Sequence, residues 1–334
     1  MTIDLSKKLG QMFFVGFEGY ALTKEIKEFL ETIQPGGIIL FENNIKDKKQ
    51  VKKLINDINN CLEIKPFIAV DQEGGTVQRL KKICRSTPSV WELAKIGLKE
   101  LLQGQKNIAK ELLKLGFNMN LAPVLDINSN PKNPIIGKRL RAISSDPKIV
   151  ASYGNAIIRI YIKNKIIPVA KHFPGHGGVE GDSHFDLPVL SKSLSELNKS
   201  ELLPFKFAIK NKVPIIMVGH IQLPKLEQDK KRPGSLSKNL ITNLLREKLK
   251  FNGLVITDEL NMKGVTKNFS LEKAAYEATL AGADLLLFNY SKDKTFKVFE
   301  YLKRQTPGNK KLIKRIEESC KKIKKTKRAF LTNV

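Results

Sequence analysis

The strongest constraint on the fold of this chain is a regular alternation of short apolar runs with longer amphipathic segments. The apolar runs have the length and composition of buried strands: Gln11 to Phe17, Gly37 to Phe41, Phe67 to Asp71, Met119 to Ala122, Ile167 to Lys171, Ile215 to Gly219, Leu254 to Thr257 and Leu285 to Phe288. The segments between them have helical periodicity: Thr23 to Thr32, Lys48 to Cys61, Val90 to Leu115, Pro147 to Lys163, Leu194 to Lys210, Lys238 to Leu249 and Ser270 to Ala281. This alternation predicts a parallel sheet with helices outside it.

The number of these units selects between the parallel α/β folds. Eight strands with seven or eight helices in 334 residues match a single (β/α)8 TIM-like barrel better than an open doubly wound sheet. No GxGxxG or GxxxxGKS pattern follows any strand, which argues against nucleotide binding. No linker marks a second domain. We therefore expect one domain over residues 1–334, closed by a basic C-terminal helical segment.

The charge balance is unusual, because 59 Lys and Arg against 33 Asp and Glu leave a net charge of +26. Residues 303–328 alone contain twelve Lys or Arg and two Glu. Such a segment can contact nucleic acid or an anionic surface. However, Leu312, Ile313, Ile316 and Ile323 recur at roughly helical spacing, and no aromatic residues that could stack on bases are interleaved with the lysines. A terminal helix with a basic solvent face is the favoured interpretation.

Two further features bear on location. The longest apolar runs, such as Val213 to Val218, are far shorter than the roughly 18 residues of a membrane span, and we interpret the N-terminal segment as a first strand rather than a signal peptide. The three cysteines, Cys61, Cys84 and Cys320, are widely spaced and form no CxxC motif. An odd number of such cysteines is typical of a reducing compartment, so we expect a cytoplasmic protein.

Polar residues occur at the C-terminal ends of four predicted strands. Asp71 follows PFIAV, Lys171 and His172 follow IIPVA, His220 follows IIMVG, and Asp258 follows GLVIT. Each of them could serve only as a turn residue, and Asp258 could cap a helix. Four together predict a site at one mouth of the barrel, because the active sites of such barrels lie at the C-terminal ends of the strands.

Asp71 and Arg79 lie eight residues apart in DQEGGTVQR, on either side of a glycine pair that allows a sharp turn. A carboxylate and a guanidinium together bind vicinal hydroxyl groups well, since one accepts hydrogen bonds and the other donates them from a planar fork. A local salt bridge is the alternative. By itself this pattern is only moderately specific.

Three of the four histidines occur in KHFPGHGGVEGDSHFDLP, residues 171–188. Asp182 and His184 are two residues apart, and a carboxylate that fixes one imidazole nitrogen leaves the other to donate or accept a proton. This pair is a candidate acid/base dyad. A metal site formed by His172, His176, Asp182 and His184 is the competing hypothesis, but Pro174 breaks the helix that an HxxxH pair would require.

Asp258 has no neighbouring serine and histidine, so the sequence gives no support for a serine nucleophile. An aspartate can itself be a nucleophile, as in retaining glycoside hydrolysis, where a second group protonates the leaving oxygen. Asp258 and His184 would supply these two roles.

The motifs DQEGGTVQR, APVLDIN, KHFPGHG, GDSH, DLP and GLVITDELNM resemble glycoside hydrolase family 3, specifically its β-N-acetylglucosaminidases of the peptidoglycan-recycling type. The resemblance implies that Asp258 is the nucleophile and that His184, oriented by Asp182, is the proton donor and acceptor. It also implies that the hydroxyls of N-acetylglucosamine (GlcNAc) are held by Asp71, Arg79, Lys171 and His172. A further sugar-binding arginine is implied in IIGKRLRAISSDP, where the spacing departs from the family pattern and leaves Arg139 and Arg141 as alternatives.

The resemblance implies a retaining β-N-acetylhexosaminidase that removes terminal GlcNAc from muropeptides carrying GlcNAc-1,6-anhydroMurNAc. We expect a monomer with a carbohydrate substrate, no metal and no organic cofactor. Two alternatives stay open. A histidine acid/base does not repel phosphate, which admits a β-N-acetylglucosaminide phosphorylase. A non-catalytic basic module that binds cell-wall fragments or nucleic acid is the other alternative.

Overall fold

Eight parallel strands form the centre of the molecule in the computed structural model, which describes residues 4–183, 185–289 and 291–331. In chain order they are β1 (Phe13–Val15), β2 (Gly37–Ile39), β3 (Phe67–Val70), β4 (Met119–Asn120), β5 (Ile167–Phe173), β6 (Ile215–Val218), β7 (Leu254–Thr257) and β8 (Leu286–Phe288). Each strand pairs with the next one in the chain, and β8 pairs with β1. A parallel bridge between Ile256 and Leu285 joins β7 to the start of β8 and closes the barrel.

The predicted (β/α)8 fold is therefore confirmed, with a strand at each predicted apolar run. The strands are short and fully buried, as expected for a parallel sheet that is covered on its outer face by helices. In the core, Phe13 stacks on Phe288 with ring centroids 5.3 Å apart, and Phe299 meets Phe13 edge-on at 5.6 Å.

Helices surround this barrel: Leu5–Gly10, Lys24–Ile33, Lys48–Cys61, Val90–Ile96, Leu98–Leu115, Pro147–Lys163, Leu194–Lys199, Leu202–Lys210, Lys263–Thr266, Leu271–Ala281, Lys292–Arg304 and Lys310–Phe330, with a π-helical segment at Asn239–Lys248. Several begin where the sequence places a capping side chain. Thr23, Asp47 and Ser270 each accept a hydrogen bond from an amide in the first turn.

The helical boundaries differ from the sequence predictions in two regions. The segments predicted as single helices from Val90 and from Leu194 are each divided, the first at Gly97 and the second around Ser200. Periodicity alone does not reveal such breaks, because the apolar face continues on both sides. The helix Leu5–Gly10 precedes β1 and was not predicted.

The C-terminal helix Lys310–Phe330 packs against the barrel as its periodicity predicted. Leu312, Ile316 and Ile323 are buried, and most of the basic residues of the helix face solvent. Burial of each such side chain contributes about 1.5 to 3 kcal/mol. In the described part of the chain, no helix is both long enough and apolar enough to cross a membrane.

Candidate active site

A cleft opens at the C-terminal ends of the strands, at the mouth predicted from the sequence. It brings together seven of the predicted site residues, Asp71, Arg79, Arg139, Arg141, Lys171, His172 and Asp258. His176, Ser183 and Glu259 also line the cleft. The side chains come from positions up to about 190 residues apart, and the barrel topology alone unites them.

A buried ion-pair network forms one wall of the cleft. The Lys171 ammonium lies 2.6 Å from Asp71 Oδ1 and 2.7 Å from Glu73 Oε1. The Arg141 guanidinium donates from Nε to Glu73 Oε2 and from Nη2 to Glu73 Oε1, both at 2.8 Å. Glu73 is thus shared between two cations, and each cation is fixed in one orientation.

The charges in this network depend on one another. Burial by itself would raise the pKa of Glu73, but the nearby Arg141 and Lys171 hold that pKa well below its usual range. Burial would likewise lower the pKa of Lys171, and the Asp71 and Glu73 carboxylates raise it instead. Glu73, Arg141 and Lys171 are therefore charged at neutral pH.

Glu73 is held in place by a short antiparallel hairpin, Gln72–Gly74 with Val77–Gln78, that follows β3. The glycine pair in DQEGG makes this turn: Gly74 has φ +106°, and a Cβ atom there would lie 2.6 Å from the Pro88 carbonyl oxygen. Glu73 was not among the site residues predicted from the sequence. The sequence feature that could have identified Glu73 is its place directly before a glycine pair that forms a tight turn.

The pair in DQEGGTVQR predicted to bind hydroxyls lies at the edge of this network. Arg79 Nη2 is 3.9 Å from Asp71 Oδ2, and the guanidinium lies 5.8 Å from the centre of the Phe41 ring. The Arg79 Nε atom is buried without a hydrogen-bond partner among the described residues. Because this contact is loose, the Arg79 guanidinium keeps N–H groups that could donate hydrogen bonds to a bound ligand.

His172 is oriented by a carboxylate that was not predicted from the sequence. His172 Nδ1 donates to Asp126 Oδ2 at 2.7 Å, and Asp126 Oδ1 accepts from the His176 amide at 2.6 Å. Asp126 is fully buried at the end of APVLD, beside β5, where Val124 pairs with Lys171. It fixes the tautomer of His172 and leaves Nε2 for a ligand.

Asp258 directly follows β7 and is only partly covered by protein atoms, with one face in the cleft. Burial opposes its ionisation, but His220, His172, the Glu259 amide and Lys171 together lower the pKa of Asp258 to about 2. Its Oδ1 accepts from the Glu259 amide at 2.8 Å, and the nearest following helix begins after Met262. Asp258 thus caps no helix in the described residues and is a carboxylate poised in its ionised form.

His220, also predicted from its strand end, lies behind the cleft rather than in it. Its Nε2 donates to the Glu259 carbonyl at 2.8 Å, and its Nδ1 is 2.7 Å from Ser235 Oγ. The side chain is fully buried. His220 therefore holds the backbone that follows Asp258.

The predicted acid/base residue His184 lies outside the described residues, so the structure does not test its pairing with Asp182. The residues around it are described. Ser183 is buried, its carbonyl accepts from the Gly264 amide at 3.0 Å, and its hydroxyl lies 3.3 Å from His176 Nε2. The loop is thereby attached to the rim of the cleft at Ser183.

His176 is buried between these groups, and its ring meets that of His172 at a centroid distance of 5.9 Å. Burial and the nearby His172 lower the pKa of His176 to about 4, so it is neutral at pH 7. Its contact with Ser183 fits a structural role. Among the described residues, no three His, Cys, Asp or Glu side chains are grouped closely enough to hold a metal ion.

The two candidate arginines occupy different positions. Arg141 is buried in the Glu73 network, whereas Arg139 is exposed at the rim, where its carbonyl accepts from Thr76 Oγ1 at 3.3 Å. Leu140 between them has φ +53°, which turns the chain and sends the two side chains apart.

The chain is similar to known proteins in both sequence and structure. Residues 4–326 match the family model described as the glycosyl hydrolase family 3 N terminal domain. The beta-hexosaminidase of Photobacterium profundum is 34% identical over 272 residues, which cover 80% of this chain and 79% of that protein. Beta-hexosaminidase A of Pseudoalteromonas piscicida is 33% identical over 325 residues, which cover 86% of this chain and 54% of the relative.

The structure is also similar to a solved one, a glycoside hydrolase family 3 beta-N-acetylglucosaminidase from Paenibacillus sp. str. FPU-7. The two share 32% sequence identity with a TM-score of 0.94, over 98% of this chain and 63% of that chain. This chain thus spans about half to four-fifths of the length of these relatives. The match over nearly all of its residues shows that the chain belongs to glycoside hydrolase family 3.

Proposed function

We propose that the protein is a retaining β-N-acetylhexosaminidase that removes terminal, non-reducing β-linked GlcNAc. The observation that carries this proposal is the position of Asp258, an ionised carboxylate in a cleft whose opposite wall is a fixed array of charged donors and acceptors. The relatives named beta-hexosaminidase and beta-N-acetylglucosaminidase support the same activity.

In the proposed first step, an Asp258 carboxylate oxygen attacks the anomeric carbon and the bond to the leaving oxygen breaks. His184, oriented by Asp182, gives its proton to that oxygen, so the aglycone leaves as an alcohol. In the second step His184 takes a proton from water while the water oxygen attacks the same carbon and releases Asp258. Two inversions give net retention of the β configuration.

The sugar in this proposal is held by Asp71, Arg79, Lys171 and His172. Lys171 and His172 are fixed by Glu73, Asp71 and Asp126 before any ligand arrives, which reduces the entropy lost on binding. Both of the short hydrogen bonds that Arg141 donates go to Glu73. We therefore assign Arg141 to the structure of the cleft wall rather than to contact with the sugar. Arg139 at the rim is free to reach a ligand.

For the substrate we propose muropeptides that carry GlcNAc-1,6-anhydroMurNAc, as in peptidoglycan recycling. All the groups that the mechanism requires belong to the barrel or its loops, so we propose that the barrel alone is sufficient for catalysis. The described cysteines are unpaired, which fits the reducing cytoplasm as the place of action.

The decisive experiment follows the hydrolysis of GlcNAc-1,6-anhydroMurNAc by NMR at early times. We expect GlcNAc to appear first as the β anomer. An initial α anomer would contradict the retaining mechanism, and no release of GlcNAc would contradict the proposed substrate. A parallel reaction with added phosphate tests the phosphorylase alternative, since GlcNAc-1-phosphate would form only in that case.

A further inference from the structure

A second cavity, of about 430 Å³, lies at the N-terminal end of the strands, opposite the candidate active site. Its walls come from the segment before β1, the segment before β3 and the C-terminal helix Lys310–Phe330. Of the proposed catalytic and sugar-binding residues that the structure describes, none lines it. Residues at this end of a barrel usually serve stability rather than catalysis.

Lys327, on the C-terminal helix, forms part of the wall of this cavity, and only 1% of its surface is exposed. Its ammonium donates to Gln11 Oε1 at 2.8 Å and lies 5.3 Å from the centre of the Phe67 ring. Gln11 is itself fixed, because its Nε2 donates to the Gln34 carbonyl at 2.7 Å. An ammonium has three donors, so this arrangement leaves it under-satisfied.

The other ionisable groups that line the cavity are mostly cationic. They are Glu63, Lys65, Cys320, Lys324 and Arg328. Glu63 is already paired, since both of its oxygens accept from Lys7 Nζ, at 2.8 and 2.7 Å. Within the described ranges no carboxylate forms an ion pair with Lys327, Lys324 or Arg328. Among the described residues, Lys327, Lys324 and Arg328 therefore bring positive charge to the cavity that no carboxylate balances by an ion pair.

The buried ammonium is unfavourable in this setting. Burial lowers the pKa of Lys327 to about 7, and among the described residues only Cys320 opposes this shift. A buried charge is tolerated when a counter-ion accompanies it. The remaining walls include Leu62, Ile64 and Ile323, which exclude water and would strengthen the attraction to such an ion.

We propose that this cavity binds a small oxyanion such as phosphate, between the buried Lys327 ammonium and the exposed Lys324 and Arg328 side chains at its mouth. The anion binds the folded chain and not the unfolded one, so it stabilises the barrel from the end opposite the active site. This site is independent of the proposed hydrolase activity.

The test uses inorganic phosphate and the full chain, with potassium chloride holding the ionic strength constant. Thermal unfolding should show a saturable rise in Tm with phosphate. Calorimetric titration uses sulfate as the oxyanion, because phosphate itself exchanges a proton near neutral pH. At pH 7, in two buffers of different ionisation enthalpy, it should show uptake of about half a proton per anion bound, because a bound anion returns Lys327 to its charged form.

Lys327→Met should abolish both effects, while Lys321→Met, on the exposed side of the same helix, should leave them unchanged. The double change of Lys324→Gln and Arg328→Gln, at two exposed positions, should weaken phosphate binding by about tenfold even if Lys327→Met fails to fold. Equal Tm rises in all variants without proton uptake would mean an adventitious ion only and would overturn the proposal. Unchanged binding in the double variant would overturn it as well.

Discussion

Glu73 binds Arg141 through two hydrogen bonds of 2.8 Å and at the same time holds the Lys171 ammonium at 2.7 Å. One carboxylate in a glycine turn thus joins three distant parts of the chain into the wall of the cleft. Because all three side chains are almost fully buried, solvent screening weakens these contacts far less than it weakens surface ion pairs.

Glu73→Gln should therefore damage both folding and substrate binding. It removes the negative charge between two buried cations, and loss of one partner from a buried ion pair costs about 3 to 5 kcal/mol. We expect the free energy of unfolding to fall by about that amount in denaturant titrations. In the folded fraction, KM should rise more than kcat falls, since Lys171 loses its fixed position.

Glu28→Gln is the matched control, because Glu28 lies on an exposed helix face and forms only a 4.0 Å contact with Lys24. Its change in stability should stay within about 0.5 kcal/mol. Equal behaviour of the two variants would show that the Glu73 network does not stabilise the cleft.

Asp258→Asn should lower kcat on an aryl β-GlcNAc substrate by about 10³-fold or more while leaving the fold intact, because an amide cannot form the glycosyl ester. Asp293→Asn, at an exposed helix start, is the control and should retain full activity. Near wild-type turnover by Asp258→Asn would remove Asp258 from the nucleophile role.

The same carboxylate makes a prediction about pH. The pKa of Asp258 lies at about 2, so the nucleophile is fully ionised throughout the range in which histidine titrates. The acid limb of kcat/KM should therefore show no loss from Asp258 protonation between pH 6 and pH 4. A carboxyl titration with an apparent pKa near 4 that persists in Asp182→Asn would contradict the environment described for Asp258.

Asp126→Asn should impair His172 without removing it. With asparagine at position 126, no carboxylate holds the proton on Nδ1 of His172. In part of the molecules the imidazole therefore adopts the other tautomer, in which the proton is on Nε2 and this atom can no longer accept a hydrogen bond from a ligand. We expect kcat/KM to fall by about 10 to 100-fold, mainly through KM. Circular dichroism and the Tm should be checked alongside, because Asp126 also accepts from the His176 amide. A variant with unchanged KM would show that Asp126 does not position His172.

The sequence predicted the eight strands and the strand-end residues because these follow from local rules: buried parallel strands are continuously apolar, and barrel sites follow strand ends. It did not predict the partners of those residues. Glu73 and Arg141 are 68 residues apart, and Asp126 and His172 are 46 apart, so only the closed barrel shows that they touch. Lys327 is a sharper case. As part of a basic helix, Lys327 was expected on the solvent face. It lies instead on the buried face of that helix, where it contacts Phe67 and Gln11 at the end of the barrel.

The burial of Lys327 also makes stability depend on pH in a defined direction. The pKa of its ammonium falls from an ordinary 10.5 in the unfolded chain to about 7 in the folded one, mainly because burial disfavours the charge. Between these two values the unfolded state binds more protons, so stability increases as the pH rises from 7 towards 10. The described ionisable groups that line the same cavity are Glu63, Lys65, Cys320, Lys324 and Arg328.

We expect the free energy of unfolding of the native chain, relative to Lys327→Met, to increase by about 2 kcal/mol between pH 7 and pH 9 in phosphate-free buffer. Subtracting the methionine variant removes the titration of the other groups, and Lys321→Met serves as the control with an exposed lysine removed. Denaturant titrations at each pH give the values directly. Parallel pH curves for the native chain and Lys327→Met would mean that the Lys327 ammonium is as well stabilised in the cavity as in water, and the cavity would then need no counter-ion.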